Sequence, residues 1–302
     1  MDQLVLLPVC LLGGLLLRRV PGFPPDAARG LNAFIIHVSL PAITLRYIPV
    51  LEIGWALLYP VAMSWIVFLV AWPLFMWWGR WMKWSRATVG CLVLVAGLGN
   101  TSFVGFPFIA HYYGEAGLQI AVLCDQPGAF LVLATLGMLA LSYFGAGDQP
   151  LRAGSILGQV LRFPPFVAFL LSLLLIPLAP LPAVVTGVLD KLGATLTPLA
   201  LVSVGLQLRW PGSDFPFPAL GLGLLYKLLL APLLILGLYR GLAGQSGLAI
   251  DVSILEAAMA PMITPSILAM ERGLDPPLAS ILVGAGIPLS LLTVAGWYAF
   301  IG

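Results

Sequence analysis

The feature that most constrains this chain is a succession of apolar stretches, each about as long as a membrane is thick. From Leu4 to Phe300 such stretches recur with only short polar breaks between them. About twenty apolar residues suffice to cross a bilayer as a helix. Only 9% of the 302 residues are charged, whereas a soluble domain carries roughly a quarter. The sequence therefore predicts an all-α polytopic membrane protein and excludes a water-soluble fold.

The apolar stretches divide into ten predicted membrane spans. The longest polar break, residues 145–162, is predicted to be a cytoplasmic linker between a first five-helix half (1–144) and a second (163–302). Because five is an odd number, the second half begins on the opposite side of the membrane, so a structural repeat of the halves is inverted. The spans cover residues 3–18, 29–49, 55–78, 87–112, 118–144, 163–180, 184–208, 217–240, 249–271 and 277–300.

Positive charge in the connections predicts the orientation, because cytoplasmic loops retain an excess of Lys and Arg. With the N-terminus outside, the inner connections collect ten such residues and the outer ones only Arg46 and Arg240. We therefore expect a protein of the cell membrane with both termini on the non-cytoplasmic side. The ten inner residues are Arg18, Arg19, Arg29, Arg80, Lys83, Arg86, Arg152, Arg162, Arg209 and Arg272.

Two spans in corresponding positions of the halves concentrate helix breakers near mid-membrane. We expect span 4 to break at residues 100–107 and span 9 at residues 256–265, and the two breaks to cross. Broken membrane helices occur where protein or a water-filled cavity satisfies the released backbone groups. Half-helix N-termini attract anions and exposed carbonyls attract cations. The alternative is that glycine and proline only kink closely packed helices.

The same motifs resemble those of the auxin efflux carrier family. The resemblance rests on residues 99–107, on Tyr113-Gly114-Glu115 and on residues 256–262. It implies the fold of the bile acid:sodium symporters, with a scaffold of spans 1, 2, 6 and 7 and a mobile transport domain of spans 3, 4, 5, 8, 9 and 10. It also implies an elevator-type motion that exposes the site alternately. A homodimer through the scaffold is a further expectation.

We predict a secondary transporter of small organic anions, meaning carboxylates such as auxin-like or dicarboxylate substrates. The short linker makes the chain similar to the compact prokaryotic carriers, which are associated with small organic acids. The sequence has no Walker A motif, so an ion or substrate gradient would supply the energy. An uncoupled organic-anion uniporter or exporter is the alternative. The predicted substrate-binding residues are Asn100, Thr101, Ser102, Gly105, Pro107, Pro261, Thr264 and Pro265.

Intramembrane carboxylates indicate a coupling ion, because a charge near the bilayer centre is costly and usually serves function. Asp125 lies in span 5, and Glu256 lies one turn before the second break. Residues 256–259 are similar to the sodium-binding Glu-x-x-Met stretch of the bile acid symporters, but Ala260 and Pro261 lack its side-chain oxygens. A proton or a sodium ion at Glu256 is expected, and a structural hydrogen bond is the alternative. The predicted ion-coupling residues are Glu256, Asp125, Asn100, Thr101 and Met259.

Other polar residues in the spans are less informative. Lys227 in span 8 has three open roles: pairing with Asp125, pairing with Glu256, or attracting an anionic substrate. An interhelical hydrogen bond is the expected role of His37, and Arg46 is interpreted as an interfacial anchor.

Two further classes of function are disfavoured. An intramembrane enzyme needs a nucleophile and a base, but the chain has only two histidines and neither a G-x-S-x-G nor an H-E-x-x-H motif. The scattered net charge of +2 offers no basic surface for nucleic acid.

Overall fold

The computed structural model describes residues 2–24, 26–51, 54–145, 158, 161–207 and 217–302. Most of the predicted linker at 145–162, including Arg152, lies outside the described residues, as does Arg209. Within the described ranges the regular structure is helical, and no strand occurs beyond one isolated bridge.

The helices follow the apolar stretches of the sequence. Among the described residues, α2, α3, α5, α7, α8 and α11 are long and apolar enough to cross a membrane. The all-α polytopic membrane fold is therefore confirmed, whereas the ten crossings and the inverted repeat stay predictions. The helices are α1 (Asp2–Leu17), α2 (Ala27–Tyr47), α3 (Leu58–Trp81), α4 (Arg86–Ala96), α5 (Thr101–Phe144), α6 (Pro164–Leu178), α7 (Ala183–Gln207), α8 (Phe217–Leu242), α9 (Leu248–Ala257), α10 (Ile263–Glu271) and α11 (Pro276–Ile301).

Several helices contain wide π-helical turns. Such turns add a residue to the helical repeat and are frequent at functional sites. Asp125 lies in the wide turn Cys124–Phe130 of α5, and Lys227 lies in the wide turn Tyr226–Leu230 of α8. Two of the charged residues predicted from the sequence are therefore carried by distorted rather than regular helix.

The predicted connection between spans 4 and 5 coincides with a kink that separates two helical segments of α5. Gly114 has non-helical angles at this kink, with φ 62° and ψ −150°. Glycine adopts positive φ without the steric cost that a side chain would bring. One glycine thus changes the helix direction where the sequence predicted a short connection.

The chain forms two compact units. Unit 1 comprises Met1–Trp55, Ser102–Val122 and Val160–Leu208. Unit 2 comprises Ala56–Thr101, Leu123–Gln159 and Arg209–Gly302. Unit 1 thus holds α1, α2, α6 and α7 together with the first part of α5. The functional division into scaffold and transport domain stays a prediction.

Small residues let the helices of unit 1 approach closely. A Cβ atom added to Gly14 of α1 would lie 2.9 Å from the Cα atom of Gly205 of α7, so only glycine fits at this contact. Between α2 and α7, the hydroxyl groups of Ser39 and Thr195 share a hydrogen bond of 2.8 Å. His37 is exposed, and its ring nitrogen Nδ1 lies 2.9 Å from the carbonyl oxygen of Ala33 in the same helix. The expected interhelical bond of His37 is therefore wrong, because its side chain faces away from the neighbouring helices.

Aromatic residues with polar tips tie the helices of unit 2 together. The hydroxyl of Tyr226 in α8 donates to the carbonyl oxygen of Val67 in α3 at 2.5 Å. The indole N–H of Trp297 in α11 donates to the carbonyl oxygen of Leu228 at 2.9 Å. Because both rings are buried, these bonds satisfy polar atoms that would otherwise be costly in an apolar interior.

Candidate functional site

The helical path of unit 2 is interrupted twice. Residues 97–100 separate α4 from α5, and residues 258–262 separate α9 from α10. The two interruptions run antiparallel and form an isolated bridge between Gly99 and Pro261. The prediction that both helices break and meet is therefore confirmed, and we call the paired segments the crossover.

Backbone hydrogen bonds hold the crossover together. The N–H of Asn100 donates to the carbonyl oxygen of Ala260 at 2.8 Å, and the N–H of Met262 donates to that of Leu98 at 3.1 Å. An unpaired peptide group in an apolar interior costs several kcal/mol in lipid. Each interruption thus satisfies groups that the other one releases.

The interruptions are shorter than the sequence predicted, and the first begins earlier, at Gly97. Pro107 lies in α5, and Thr264 and Pro265 lie in the first turn of α10. For Pro265 the physical reason is that proline tolerates the first turn of a helix, where its missing N–H has no helical acceptor. Pro107 comes just after the wide turn Thr101–Gly105. These residues therefore follow the breaks rather than form them.

Four helix ends meet at the crossover. The carboxyl ends of α4 and α9 arrive there, and the amino ends of α5, at Thr101, and α10, at Ile263, leave it. Helix amino ends carry partial positive charge and carboxyl ends partial negative charge. The crossover therefore presents both signs of fixed charge within one short region.

The ammonium group of Lys227 lies against the crossover. Its Nζ atom donates a 2.6 Å hydrogen bond to the carbonyl oxygen of Ala257, the last residue of α9. A Cβ atom added to Gly99 would lie only 2.9 Å from Nζ. The side chain is 1% exposed. Lys227 thus binds a helix carboxyl end, a role that the sequence did not suggest.

Glu256 brings an opposite charge to the same region. It lies in the last turn of α9 and is 0% exposed. Among the described residues, neither of its carboxylate oxygens has a hydrogen-bond partner. The charges of Asp125 and Lys227 both act on it. A buried carboxylate with two unsatisfied oxygens is unusual and requires an explanation.

Both carboxylate oxygens of Asp125 accept hydrogen bonds, in contrast to those of Glu256. Its Oδ1 atom accepts a 2.5 Å hydrogen bond from the hydroxyl of Thr101, and its Oδ2 atom accepts one of 2.7 Å from the side-chain amide of Gln126. Met259 is buried in the second interruption. The structure thus brings the predicted ion-coupling residues into the buried interior of unit 2.

Three titratable side chains lie beside the crossover. They are the carboxyl groups of Glu256 and Asp125 and the amine of Lys227. The buried oxygens of Glu256 are hard ligands that suit sodium or a proton. Ala260 and Pro261 contribute no side-chain oxygen beside it.

The predicted substrate-binding residues divide between the two units. Asn100, Thr101, Pro261, Thr264 and Pro265 belong to unit 2, and Thr264 is exposed. Three others belong to the part of α5 in unit 1, namely Ser102, Gly105 and Pro107.

Unit 1 contains a cavity of about 410 Å³. Pro107 and Phe106 of α5 line it, together with residues of α2 and α7. Its charged lining residues are Arg46, Glu115 and Asp190. A predicted substrate-binding residue thus borders a space large enough for a small molecule.

Arg46 is the cation of this cavity. Its Nε atom donates to Asp190 at 2.7 Å, whereas its Nη2 atom lies 4.0 Å from Glu115, whose side chain is 69% exposed. The second pair is therefore weak and screened by solvent. The sequence suggested only an interfacial anchor for Arg46 and did not predict that it lines a cavity. Its partner Asp190 is 144 residues away in the chain, so the pairing has no local signal. The opposite charges of Arg46 and Asp190 were the sequence signal for this pair.

Comparison with known proteins identifies the class of molecule. The family described as "Membrane transport protein" matches residues 1–298. This chain belongs to that family. The family is that of the auxin efflux carriers, so the resemblance seen in the crossover motifs is confirmed.

Two archaeal relatives of this membrane transport protein are similar along much of their length. An uncharacterized transporter of Methanothermobacter thermautotrophicus is 30% identical over 295 residues, which cover 96% of this chain and 94% of the relative. An uncharacterized transporter of Methanocaldococcus jannaschii is 30% identical over 213 residues, covering 69% of this chain and 67% of the relative. The protein is therefore a multi-pass membrane transporter and not an enzyme.

Proposed function

We propose that this transporter carries small organic anions, chiefly carboxylates, across the cell membrane by an elevator-type alternating-access mechanism. The single observation that carries the proposal is the crossover in unit 2, where two interrupted helices pair beside buried Glu256 and Lys227. Transporters with broken helices use such places to bind anions at helix amino ends and cations at carbonyls and carboxylates. The amino ends at Thr101 and Ile263 are the candidates for the anion.

The cavity of unit 1 supports a carboxylate substrate. Arg46 offers a planar guanidinium that matches a carboxylate with two parallel hydrogen bonds. Asp190 holds its Nε atom, which orients the outer nitrogens. A bound carboxylate needs to replace only the weak 4.0 Å contact with Glu115. A volume of about 410 Å³ suits a small organic acid.

The unpartnered carboxylate beside the crossover supports coupling to one cation. Glu256 is buried and neither of its carboxylate oxygens has a hydrogen-bond partner among the described residues, so this residue would take up a proton or a sodium ion. An uncoupled uniporter is the competing proposal. The orientation with both termini outside, the mobile transport domain and a homodimer through the scaffold belong to the same proposal and rest on the loop charges and the family resemblance.

Proteoliposomes test transport and coupling together. Purified protein should take up one or more radiolabelled carboxylates from a panel of mono- and dicarboxylates, and uptake should respond to an imposed proton or sodium gradient. Glu256→Gln keeps the shape but removes the charge, so it should abolish the response to the gradient. Transport that ignores both gradients in the unmodified protein would discard coupling and leave uniport.

Arg46 provides a test of the substrate class. Arg46→Gln should raise the KM for the transported carboxylate by about tenfold or more, since a charge-assisted hydrogen bond is worth about 1.5–3 kcal/mol. Lys191→Gln is the matched control, because Lys191 lies next to Asp190 on α7, is exposed and does not line the cavity. Equal KM values for the two variants would remove Arg46 from substrate recognition.

A further inference from the structure

Unit 2 contains a cavity at the carboxyl end of α3. It has a volume of about 390 Å³ and lies where α3 ends and α4 begins. Three cationic residues, Arg80, Lys83 and Arg86, line it together with Trp84 and Tyr143. Of the described residues that line this basic cavity, none is acidic. It therefore concentrates positive charge without internal compensation.

The three cations are held differently. The guanidinium of Arg86 donates to the carbonyl oxygen of Tyr143 and lies 4.9 Å from the centre of its ring, so this residue is fixed in the wall. Arg80 and Lys83 are exposed, and within the described part of the chain neither has a hydrogen bond or ion pair through its side chain. Two positive groups are thus available to an anion beside a rigid third one.

Lys83 occupies a backbone position at the end of α3 that usually belongs to glycine. Lys83 has φ 55° and follows the last turn of α3. The N–H of Trp84 donates to the carbonyl oxygen of Gly79 at 2.9 Å, which is the pairing of a Schellman helix end. Glycine is the usual residue at this left-handed position because a side chain is strained there. A lysine at this position keeps a cation at the cavity despite the strain.

Neighbouring tryptophans place the basic cavity at the depth of lipid head groups. Trp77 and Trp81 stack one turn apart on the outer surface of α3, with ring centres 6.4 Å apart and exposures of 60% and 70%. Exposed tryptophans of membrane proteins gather at the boundary between the apolar core and water. The same end of α3 is predicted to face the cytoplasm, because its connection is rich in Lys and Arg.

We propose that this cavity binds the phosphate head group of an anionic membrane lipid. Basic pockets between membrane helices on the cytoplasmic side recognise such head groups. Arginine matches phosphate oxygens with paired donors, and lysine adds a mobile charge. The exposed tryptophans beside the cavity would contact the glycerol and the start of the acyl chains. A free phosphate ion shares the head-group chemistry but makes no use of that apolar surface.

Native mass spectrometry of the purified transporter in a non-ionic detergent tests the proposal. Palmitoyl-oleoyl phosphatidylglycerol is titrated against phosphatidylcholine with the same chains, and inorganic phosphate is added in a third series. The unmodified protein should retain phosphatidylglycerol in clear preference to phosphatidylcholine. Equal retention of both lipids would overturn the proposal. Displacement of the lipid by millimolar phosphate would reassign the cavity to a free ion.

Two variants and one control make the assay specific. Each juxtamembrane cation contributes about fivefold to binding an anionic membrane surface. Lys83→Gly should therefore weaken binding about fivefold while it relieves the strained backbone, so the protein should remain folded. Adding Arg80→Gln should bring the loss to about 25-fold. Arg19→Gln with Arg29→Gln removes two predicted cytoplasmic charges outside the cavity. A loss of similar size in that control, or no loss in the cavity variants, would refute the site.

Discussion

Replacing Gly99 by alanine tests whether the lysine ammonium group truly fills the crossover. The added Cβ atom would lie 2.9 Å from Nζ and 3.2 Å from Cε of Lys227, and 3.3 Å from the carbonyl oxygen of Glu256. Ordinary contacts begin near 3.4 Å. The ammonium group must therefore move by about 0.5 Å, away from a position in which it donates at 2.6 Å to Ala257.

The expected cost has two parts. Overpacking a tightly filled interior costs about 1–3 kcal/mol. Weakening a hydrogen bond to a charged group forfeits part of its worth of about 1.5–3 kcal/mol. We therefore expect Gly99→Ala to lower the free energy of unfolding by about 2–4 kcal/mol. Transport should fall as well, because the paired interruptions are displaced.

Thermal unfolding followed by tryptophan fluorescence measures the effect, and a second background shows its cause. Lys227→Ala combined with Glu256→Gln removes both buried charges together, which avoids leaving one of them unpaired. In that background both contacts with Lys227 are removed while the 3.3 Å contact with the carbonyl oxygen of Glu256 remains, and the cost of Gly99→Ala should fall below about 1 kcal/mol.

The reasoning is refuted if Gly99→Ala costs the same in both backgrounds to within about 0.5 kcal/mol, the limit at which mutational effects count as additive. Gly296→Ala in α11 is the matched control. Nothing lies within 4 Å of its added Cβ atom, and alanine is the better helix former by about 1 kcal/mol. This variant should unfold at the same temperature or slightly above it.

Two other substitutions test the packing and the buried polar network. Gly205→Val places a larger side chain where α1 and α7 touch, so we expect no folded protein to be recovered by size-exclusion chromatography. Gly13→Val is the control and should be recovered normally, because nothing lies within 4 Å of its Cβ position. Thr101→Val removes the hydroxyl donor to Asp125 and should lower the free energy of unfolding by about 1.5–3 kcal/mol, while Thr101→Ser should restore most of it; equal unfolding temperatures for these two variants would contradict the bond.

The sequence could predict the crossover because its causes are local. Gly99 and Pro261 stand in clusters of residues that disfavour a helix, and a pair of such clusters at matching places in the two halves is readable without a structure. The same local view also located the kink at Gly114, where a positive-φ glycine separates two helical segments. The predicted second break was too long, because Pro265 is compatible with the first turn of a helix and was nevertheless included in the break.

The charged contacts could not be predicted, because their partners are distant in the chain. Lys227 reaches Ala257 from α8, across 30 residues, and the acceptor is a backbone carbonyl that carries no sequence signal. Arg46 finds Asp190 across 144 residues. The wide turn that carries Lys227 also shifts the helical repeat, so a regular periodicity would place its side chain on the wrong face.

The mutual hydrogen bonding of the two interruptions has a consequence for building chimeras of such carriers. Residues 97–100 and 258–262 form one structural unit, although they are far apart in the gene. A hybrid that takes the first segment from one relative and the second from another would combine backbones shaped for different partners. Grafts intended to alter specificity should therefore transplant both segments at once, together with the residue that occupies position 227.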